Sequence, residues 1–488
     1  MKKAQVLLFS LFISLSAFSS AIADNDAIMD HRPAVGIRCF RSKAVEDKIQ
    51  SMHKRLMAVS PKLWYMFSNC FPNTLDTTVR QYKGHNSVNG AAEDFTFVIT
   101  GDINAMWLRD SSAQIWTYMP FLKEDEALRK MVRGVIRQQM EFICRDPYAN
   151  AFLLNLTDTS EWHDDHTDMK PGVHERKYEI DSLCYPLRLA YEYWRQTGDE
   201  TIFDDLWLHT MSNILSVFRE QQRKDGVQHT SYRFGRITHA QHDTTSNYGK
   251  GHPVRPCGLI ASMFRPSDDS CIFPFLIPAN FFAEDVLRKA SLMLRHTKPR
   301  AASGIDPREL GTQCLAMADE IHAALNTYAT VHTRHFGTVY AFEIDGFGSH
   351  ALMDDANAPS LLSLPYLCPD LVSVGDTIYQ NTRRMIWSEW NPYFFGGGIQ
   401  GHPSGVRGIG SQHTSLDRVW PMSIIMKGLT TTDRAEQVRC IMELMETDGG
   451  TCFMHESFEP ANPRNYTRSW FSWANGLFGE LVIRAYGD

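Results

Sequence analysis

The stretch GDINAMWLRDSSAQIWTYMPFL, Gly101 to Leu122, sets charged and aromatic side chains directly against an amphipathic helix. Asp102, Trp107, Arg109 and Asp110 stand at its mouth, and apolar residues recur at helical spacing after Ser111. Acceptors at a helix start satisfy free backbone N–H groups, so Asp110 or Ser111 can serve as a cap. A cap needs one such residue, and this set exceeds it. Carboxylates and a guanidinium can grip vicinal hydroxyls while an indole covers a ring face, which is what a sugar requires.

The same unit recurs along the chain. Apolar residues at i, i+3, i+4 and i+7 predict helices in AVEDKIQSMHKRLMAV (from Ala44), DEALRKMVRGVIRQQMEFI (Asp125) and YPLRLAYEYWRQTG (Tyr185). They do so again in FDDLWLHTMSNILSVFREQQ (Phe203), ANFFAEDVLRKASLMLRHT (Ala279) and LGTQCLAMADEIHAALNTYA (Leu310). DRAEQVRCIMELMET (Asp433) and SWFSWANGLFGELVIRAYG (Ser469) complete the long ones, with shorter helices expected near Asp110, Pro359, Tyr379 and Thr414. DFTFVIT before Gly101 and TVYAFEI before Asp345 are the clearest strands. The connections are long and rich in Gly, Asp, His, Trp, Arg and Tyr, whereas helical bundles use connections of a few residues. About a dozen helices with alternating short and long connections predict an all-α toroid, two concentric rings with the long loops gathered at one end. No Pro/Ser/Gly linker divides the body, so residues 24–488 are expected to form one domain.

Composition narrows the function classes. The 488 residues are 43% hydrophobic and 22% charged, enough for a large core and too apolar for disorder. A net charge of -7 argues against a nucleic-acid partner, which needs a basic face. The N-terminus reads as an export signal: MKK, then AQVLLFSLFISLSAFSS, then an Ala21-Ile22-Ala23 cleavage box. Residues 1–23 are therefore expected to be removed and the protein to be periplasmic or secreted. No later run is long enough to insert in a membrane. The ten cysteines form no CxxC pair, and most are expected to be small buried hydrophobes.

Five further segments carry chemistry. In TSEWHDDHTDMKPGVHERKYEIDSLCYP, His163, Asp164, Asp165, His166 and Asp168 match no metal-ligand spacing and read as a solvated loop. Glu175, Arg176, Lys177, Tyr178, Glu179 and Asp181 then lead into an apolar helix, where some must pair and others can face a cavity. FRPSDDSCIFPFLIPANFF places Asp268 and Asp269 together at the edge of an apolar run. Adjacent carboxylates there are costly unless one is protonated or paired, and a raised pKa suits a general acid. Ser267 or Asp268 can instead cap a helix. FEIDGFGSHALMDDANAPSLL carries Glu343, Asp345, Asp354, Asp355 and Asn357; DDAN is partly a cap signal, and the spacing does not fit an EF-hand. GIGSQHTSLDRVWPM brings His413, Asp417 and Trp420 to the start of another helix. TCFMHESF, with the segment after it, holds Glu456, Arg468, Trp470 and Trp473; Glu456 is a candidate base or an ion-pair partner of Arg468. In a toroid these clusters converge at one end. Carboxylates with Trp, Arg and His around a pocket suit glycoside cleavage, one acid protonating the leaving oxygen and another carboxylate activating water or attacking the anomeric carbon.

GDINAMWLRDSSAQ, ERKYEIDSLCYPLRLAYEYW, FRPSDD, FEIDGFG, MDDAN, GIGSQHT and MHESF…TRSWFSWANGLFGEL together resemble glycoside hydrolase family 125, from about Val35 to Leu481. The resemblance implies an (α/α)6 barrel and exo-acting, inverting α-1,6-mannosidase activity on mannoside, N-glycan-type or mannan chains. It implies neither metal nor cofactor. It places the general acid in PSDD, Asp269 in preference to Asp268, and the general base on Glu456 of MHES. Arg109 and Asp110 of WLRD are implied to grip the sugar. The full expected substrate-binding set is Asp102, Trp107, Arg109, Asp110, Glu175, Arg176, Lys177, Asp181, Asp345, Asp355, Asn357, His413, Arg468 and Trp470. The chain departs from the family pattern at His174, where relatives carry Trp. Another inverting toroid glycosidase of glucoamylase type is the nearest alternative. A non-catalytic glycan-binding protein is a second, and a polysaccharide lyase, which would need a basic groove, a third.

Overall fold

A computed structural model describes residues 29–298, 303–397 and 405–487. The expected export signal, residues 1–23, lies outside the described residues. After a helix at Lys43–Val59, twelve helices alternate between an outer and an inner layer. The outer ones are α1 (Pro61–Cys70), α3 (Glu126–Arg145), α5 (Asp205–Gln221), α7 (Pro307–Tyr328), α9 (Thr377–Ile386) and α11 (Arg434–Glu446). The inner ones are α2 (Leu108–Trp116), α4 (Ile180–Thr197), α6 (Ile277–His296), α8 (Leu364–Leu367), α10 (Pro421–Leu429) and α12 (Ser472–Tyr486). α2 packs on α4, α4 on α6, α6 on α8, α10 on α12, and α12 returns to α2. Ala113, Tyr185, Tyr366, Met426 and Trp473, from five inner helices, meet around a small void on the axis. This is the (α/α)6 toroid.

Polarity separates the two rings. The outer helices are amphipathic, and five of the six begin with an aspartate that accepts from a first-turn N–H: Asp125, Asp204, Asp306, Asp376 and Asp433. The inner helices are buried over most of their length, and none of the six has a side-chain cap bond. Their donor-rich N-termini therefore open toward one end of the barrel. Every inner-to-outer connection is short. Every outer-to-inner connection is long and carries one or more of the small two- and three-stranded sheets. The long loops accordingly gather at the end where the inner helices begin.

Several boundaries differ from the periodicity. α4 starts at Ile180, five residues before the apolar pattern, because Asp181 and Ser182 turn inward onto Arg109 and Glu179. α1, PKLWYMFSNC, lies outside the helices expected from the period and is wedged between the Lys43–Val59 helix and α12. The strand Ala92–Val98 matches DFTFVIT and pairs with Val79–His85, whose polar VRQYKGH hides it in the sequence. Neither Asp110 nor Ser111 caps α2; both lie inside its first turn. All ten cysteines are free. No helix among the described residues is long and apolar enough to cross a membrane.

Candidate active site

The inner-helix N-termini surround a cavity of about 370 Å³. Its floor is Arg109, in the first turn of α2 and 4% exposed. Its Nη1 donates to Glu179 Oε2 at 2.6 Å and its Nη2 to Asp268 Oδ1 at 3.1 Å. Asp110 and Asp181 approach the same guanidinium at 3.4 and 3.5 Å. Four carboxyl groups thus crowd one cation, and they do not share one protonation state. Burial pushes Glu179 well above the usual carboxyl range; Arg109 opposes this, and Asp268 and Asp181 add to it. Burial likewise raises Asp181 to about 7, and it raises Asp110. Asp268 goes the other way. Burial disfavours its charge, but Arg109 and Lys177 outweigh burial and hold the carboxyl below its ordinary range.

Asp268 occupies a left-handed backbone conformation, φ 65°, which aims its side chain into the cavity. Asn150 Nδ2 donates to Asp268 Oδ1 at 3.3 Å and to Glu175 Oε2 at 2.9 Å. Lys177 Nζ donates to the Asp268 carbonyl at 2.8 Å and to Asp243 at 2.6 Å. Asp269 points away from the cavity. Its side chain is 1% exposed against 19% for Asp268. His242 Nδ1 lies 2.7 Å from its Oδ1, Ser267 Oγ donates to it at 2.8 Å, and His413 Nδ1 lies 3.6 Å away. Burial raises Asp269, and the two histidines and Ser267 more than reverse this. The preference for Asp269 as the cavity acid is therefore corrected: Asp268 lines the cavity, and Asp269 anchors the wall behind it. His413 does line it. Burial disfavours its charge, but Asp269, with Glu456 and Asp268, pushes it up to about 9.

Glu456 enters from the loop before α12. Arg468 Nη1 lies 3.8 Å from its Oε1, and Arg468 Nε donates to Asp102 at 2.8 Å on the rim. Glu456 is thus both a cavity residue and the partner of Arg468. Arg468 is also left-handed, φ 46°, as the chain turns from a strand into α12. Gly101, at φ 127°, packs so closely on the Trp470 carbonyl that a Cβ there would collide with it. This contact draws the opening motif of the sequence against the last one.

Of the expected binding residues, the cavity collects Trp107, Arg109, Asp110, Glu175, Lys177, Asn357, His413 and Arg468, with Asp102 beside it through Arg468. Five do not line it. Arg176 instead donates to Asp146 at 2.7 Å and lies over the Tyr148 and Tyr232 rings. Asp181 sits beneath Arg109, and neither of its oxygens is hydrogen bonded. Asp345 accepts three N–H groups of its own turn, from Phe347, Gly348 and Ser349. Asp355 accepts from Ser411 at 2.8 Å, behind Asp269. Trp470 faces a separate cleft with His31 and Asn73, and Trp162, Trp420 and Trp473 supply the cavity's other indoles. Edge-to-face packing of His174 on Trp107, 5.2 Å between ring centres, places His174 in the wall.

The 236–243 segment, RITHAQHD, escaped the sequence reading. Arg236 binds Asp165 through two nitrogens at 2.8 and 2.7 Å, donates to Glu175 at 2.9 Å and covers the Trp162 ring at 3.7 Å. Asp165, expected in a solvated loop, is consequently buried, whereas His163 and Asp164 stay exposed. Six polar side chains among eight residues, in an aperiodic run between two helices, were the available signal.

Comparison with known proteins shows the family. Residues 60–483 match the family described as metal-independent alpha-mannosidase (GH125). The meiotically up-regulated gene 157 protein of Schizosaccharomyces pombe is 39% identical over 469 residues, covering 93% of this chain and 87% of that protein. A Streptococcus pneumoniae metal-independent alpha mannosidase, solved in a non-productive complex with alpha-1,6-mannobiose, is 38% identical with a TM-score of 0.83. That match spans 92% of this chain and 99% of the other.

Proposed function

This chain belongs to the metal-independent alpha-mannosidase family GH125 and is a glycoside hydrolase, and from that premise we propose that it removes terminal α-1,6-linked mannose with inversion, using Asp268 as general acid and Glu456 as general base. The observation that carries the reading is their joint placement. Asp268 precedes the third inner helix and Glu456 the sixth, so the two enter one cavity from opposite positions of a six-membered ring. Inverting hydrolysis calls for two carboxyls about 6.5–9.5 Å apart across a site, because a water must fit between the base and the anomeric carbon. Asp268 protonates the glycosidic oxygen as the C1–O bond breaks. Glu456 takes the proton of the water that attacks the opposite face.

The sealed floor of Arg109, Glu179 and Asp181 supports exo action, since a blind cup admits a chain end and no through-running chain. Arg109, Asp110 and Arg468 supply charged grips for hydroxyls, and the indoles of Trp107, Trp420 and Trp473 supply apolar faces. The α-1,6 linkage is supported by the mannobiose held by the S. pneumoniae relative. The proposed setting, outside the cytoplasm, rests on the N-terminal sequence pattern alone. The test is incubation with α-1,6-mannobiose followed by NMR of the first-formed product. β-Mannose is expected. First-formed α-mannose refutes inversion, and cleavage of aryl α-glucosides in preference to mannosides refutes the substrate class.

A further inference from the structure

An acid catalyst must hold a proton when its substrate arrives, yet Asp268 faces two cations. Arg109 Nη2 donates to it at 3.1 Å, and the Lys177 ammonium lies against its backbone. The same guanidinium binds a second carboxyl group, Glu179, through its other terminal nitrogen at 2.6 Å. Glu179 and Asp268 are thereby held side by side on the two terminal nitrogens of one guanidinium. Two ionised carboxylates on one buried cation leave an uncompensated negative charge, which a single proton on the pair relieves. Glu179 is fully buried, accepts from Ser182 Oγ at 2.7 Å through Oε2, and has no hydrogen-bond partner for Oε1 among the described residues.

We propose that Glu179 stores the proton that Asp268 delivers, so that the two carboxyl groups act as one acid. The inference rests on the reading of Asp268 as the general acid. The groups around the pair agree with it. Asp110 and Asp181 add negative charge from α2 and α4, and His413 adds positive charge from the loop before α10. Four carboxyl groups against Arg109 and Lys177 leave excess negative charge in a sealed site, and protonation relieves it. Of the other buried carboxyls, Glu179 alone hydrogen bonds the guanidinium that binds Asp268, and burial places it well above the usual range.

The proton balance is as follows. In the resting pair the proton sits on Glu179 and Asp268 is ionised. The proton passes to Asp268 and from there to the glycosidic oxygen, while the C1–O bond breaks and its electron pair stays on the departing alcohol. The attacking water gives its proton to Glu456. Glu179 and Asp268 are then both ionised and Glu456 is protonated; exchange with solvent restores the starting state. Glu179 touches no substrate atom in this scheme and is a positioning residue.

Glu179→Gln keeps an acceptor for Arg109 and Ser182 and removes the shared proton. kcat/KM is measured against pH on α-1,6-mannobiose and on 2,4-dinitrophenyl α-mannoside, whose leaving group needs no protonation. Mannobiose turnover at neutral pH is expected to fall about 100-fold, with the alkaline limb at least about one pH unit lower, tenfold in rate per unit, and with a far smaller loss on the dinitrophenyl substrate. Equal losses on both substrates, or an unmoved alkaline limb, overturn the proposal. Asp268→Asn separates the two readings. If it spares the dinitrophenyl substrate and Glu179→Gln does not, the proton store fails and the acid stands; if it spares neither, the acid assignment itself fails. Should Glu179→Gln not fold, Glu179→Asp keeps a carboxyl one methylene further away. It is expected to show the same substrate difference to a lesser degree, and equal losses there overturn the proposal as well.

Discussion

Replacing Asp269 with asparagine tests the division of labour between the two neighbouring aspartates. The change preserves shape and removes one negative charge 3.6 Å from the His413 ring. His413 stands at about 9 against an ordinary 6.5, a difference of 2.5 units, with Asp269 the largest favourable cause. At 1.36 kcal/mol per unit the whole shift would correspond to about 3.4 kcal/mol. The His413 side chain is 36% exposed, and Glu456 and Asp268 remain in the variant, so screening leaves roughly 1–2 kcal/mol to Asp269. The folded-state value is raised, so this contribution is fully present below pH 6.5 and is lost as pH rises through 9. Urea unfolding of wild type and Asp269→Asn between pH 5.5 and 9.5 is therefore expected to show a stability gap that is widest at the acid end and narrows toward the alkaline end. NMR titration of His413 is expected to move down by about one pH unit in the variant. A gap independent of pH, or an unmoved His413 titration, refutes the reasoning. The same variant also checks the catalytic assignment. A wall residue loses mannobiose and dinitrophenyl mannoside activity in proportion, whereas selective sparing of the activated substrate would mean that Asp269 is the acid.

Three other outcomes are expected. Arg468→Ala removes the group that lies between Glu456 and Asp102; kcat is expected to fall about 10–100-fold with little change in melting temperature, because a base displaced by about 1 Å loses its aim on the water. Arg265→Met leaves Glu343, fully buried and 2.6 Å from the lost guanidinium, as an unpaired charge beneath the Ile272–Phe273 turn; unfolding free energy is expected to drop by about 3–5 kcal/mol, and the double variant Arg265→Met/Glu343→Gln to recover part of it. Extended treatment with a chelator is expected to leave mannosidase turnover unchanged, as family membership requires, and a loss restored by added Ca²⁺ or Zn²⁺ would contradict it.

Much of the architecture was legible because it depends on local chemistry. Five of the outer helices announce themselves twice, by a 3.6-residue period and by an aspartate cap such as Asp125 or Asp433. The inner helices lack the cap; α4, α6 and α12 still show the period. The buried first turns of α4 and the four-residue α8 are placed by what packs on them, so the periodicity missed the start of one and the position of the other. The site followed the same rule. Trp107, Arg109, Lys177, His413 and Glu456 could be picked out because they belong to clusters of charged and aromatic residues that precede or open helices. Arg236 and His242, in a long aperiodic loop, could not.

Residue type and spacing alone determined that this chain builds paired helix layers and that its acids collect where inner helices begin. Which acid meets the cavity was a tertiary matter. Asp268 and Asp269 are the same residue one position apart; a left-handed turn sends the first toward Arg109 and the open cup, and two histidines hold the second in the wall. Their opposite orientations depend on partners 27 to 159 positions away in the chain. Local sequence sets the backbone's options, but the field that orients and titrates a buried carboxyl is assembled only when the ring closes.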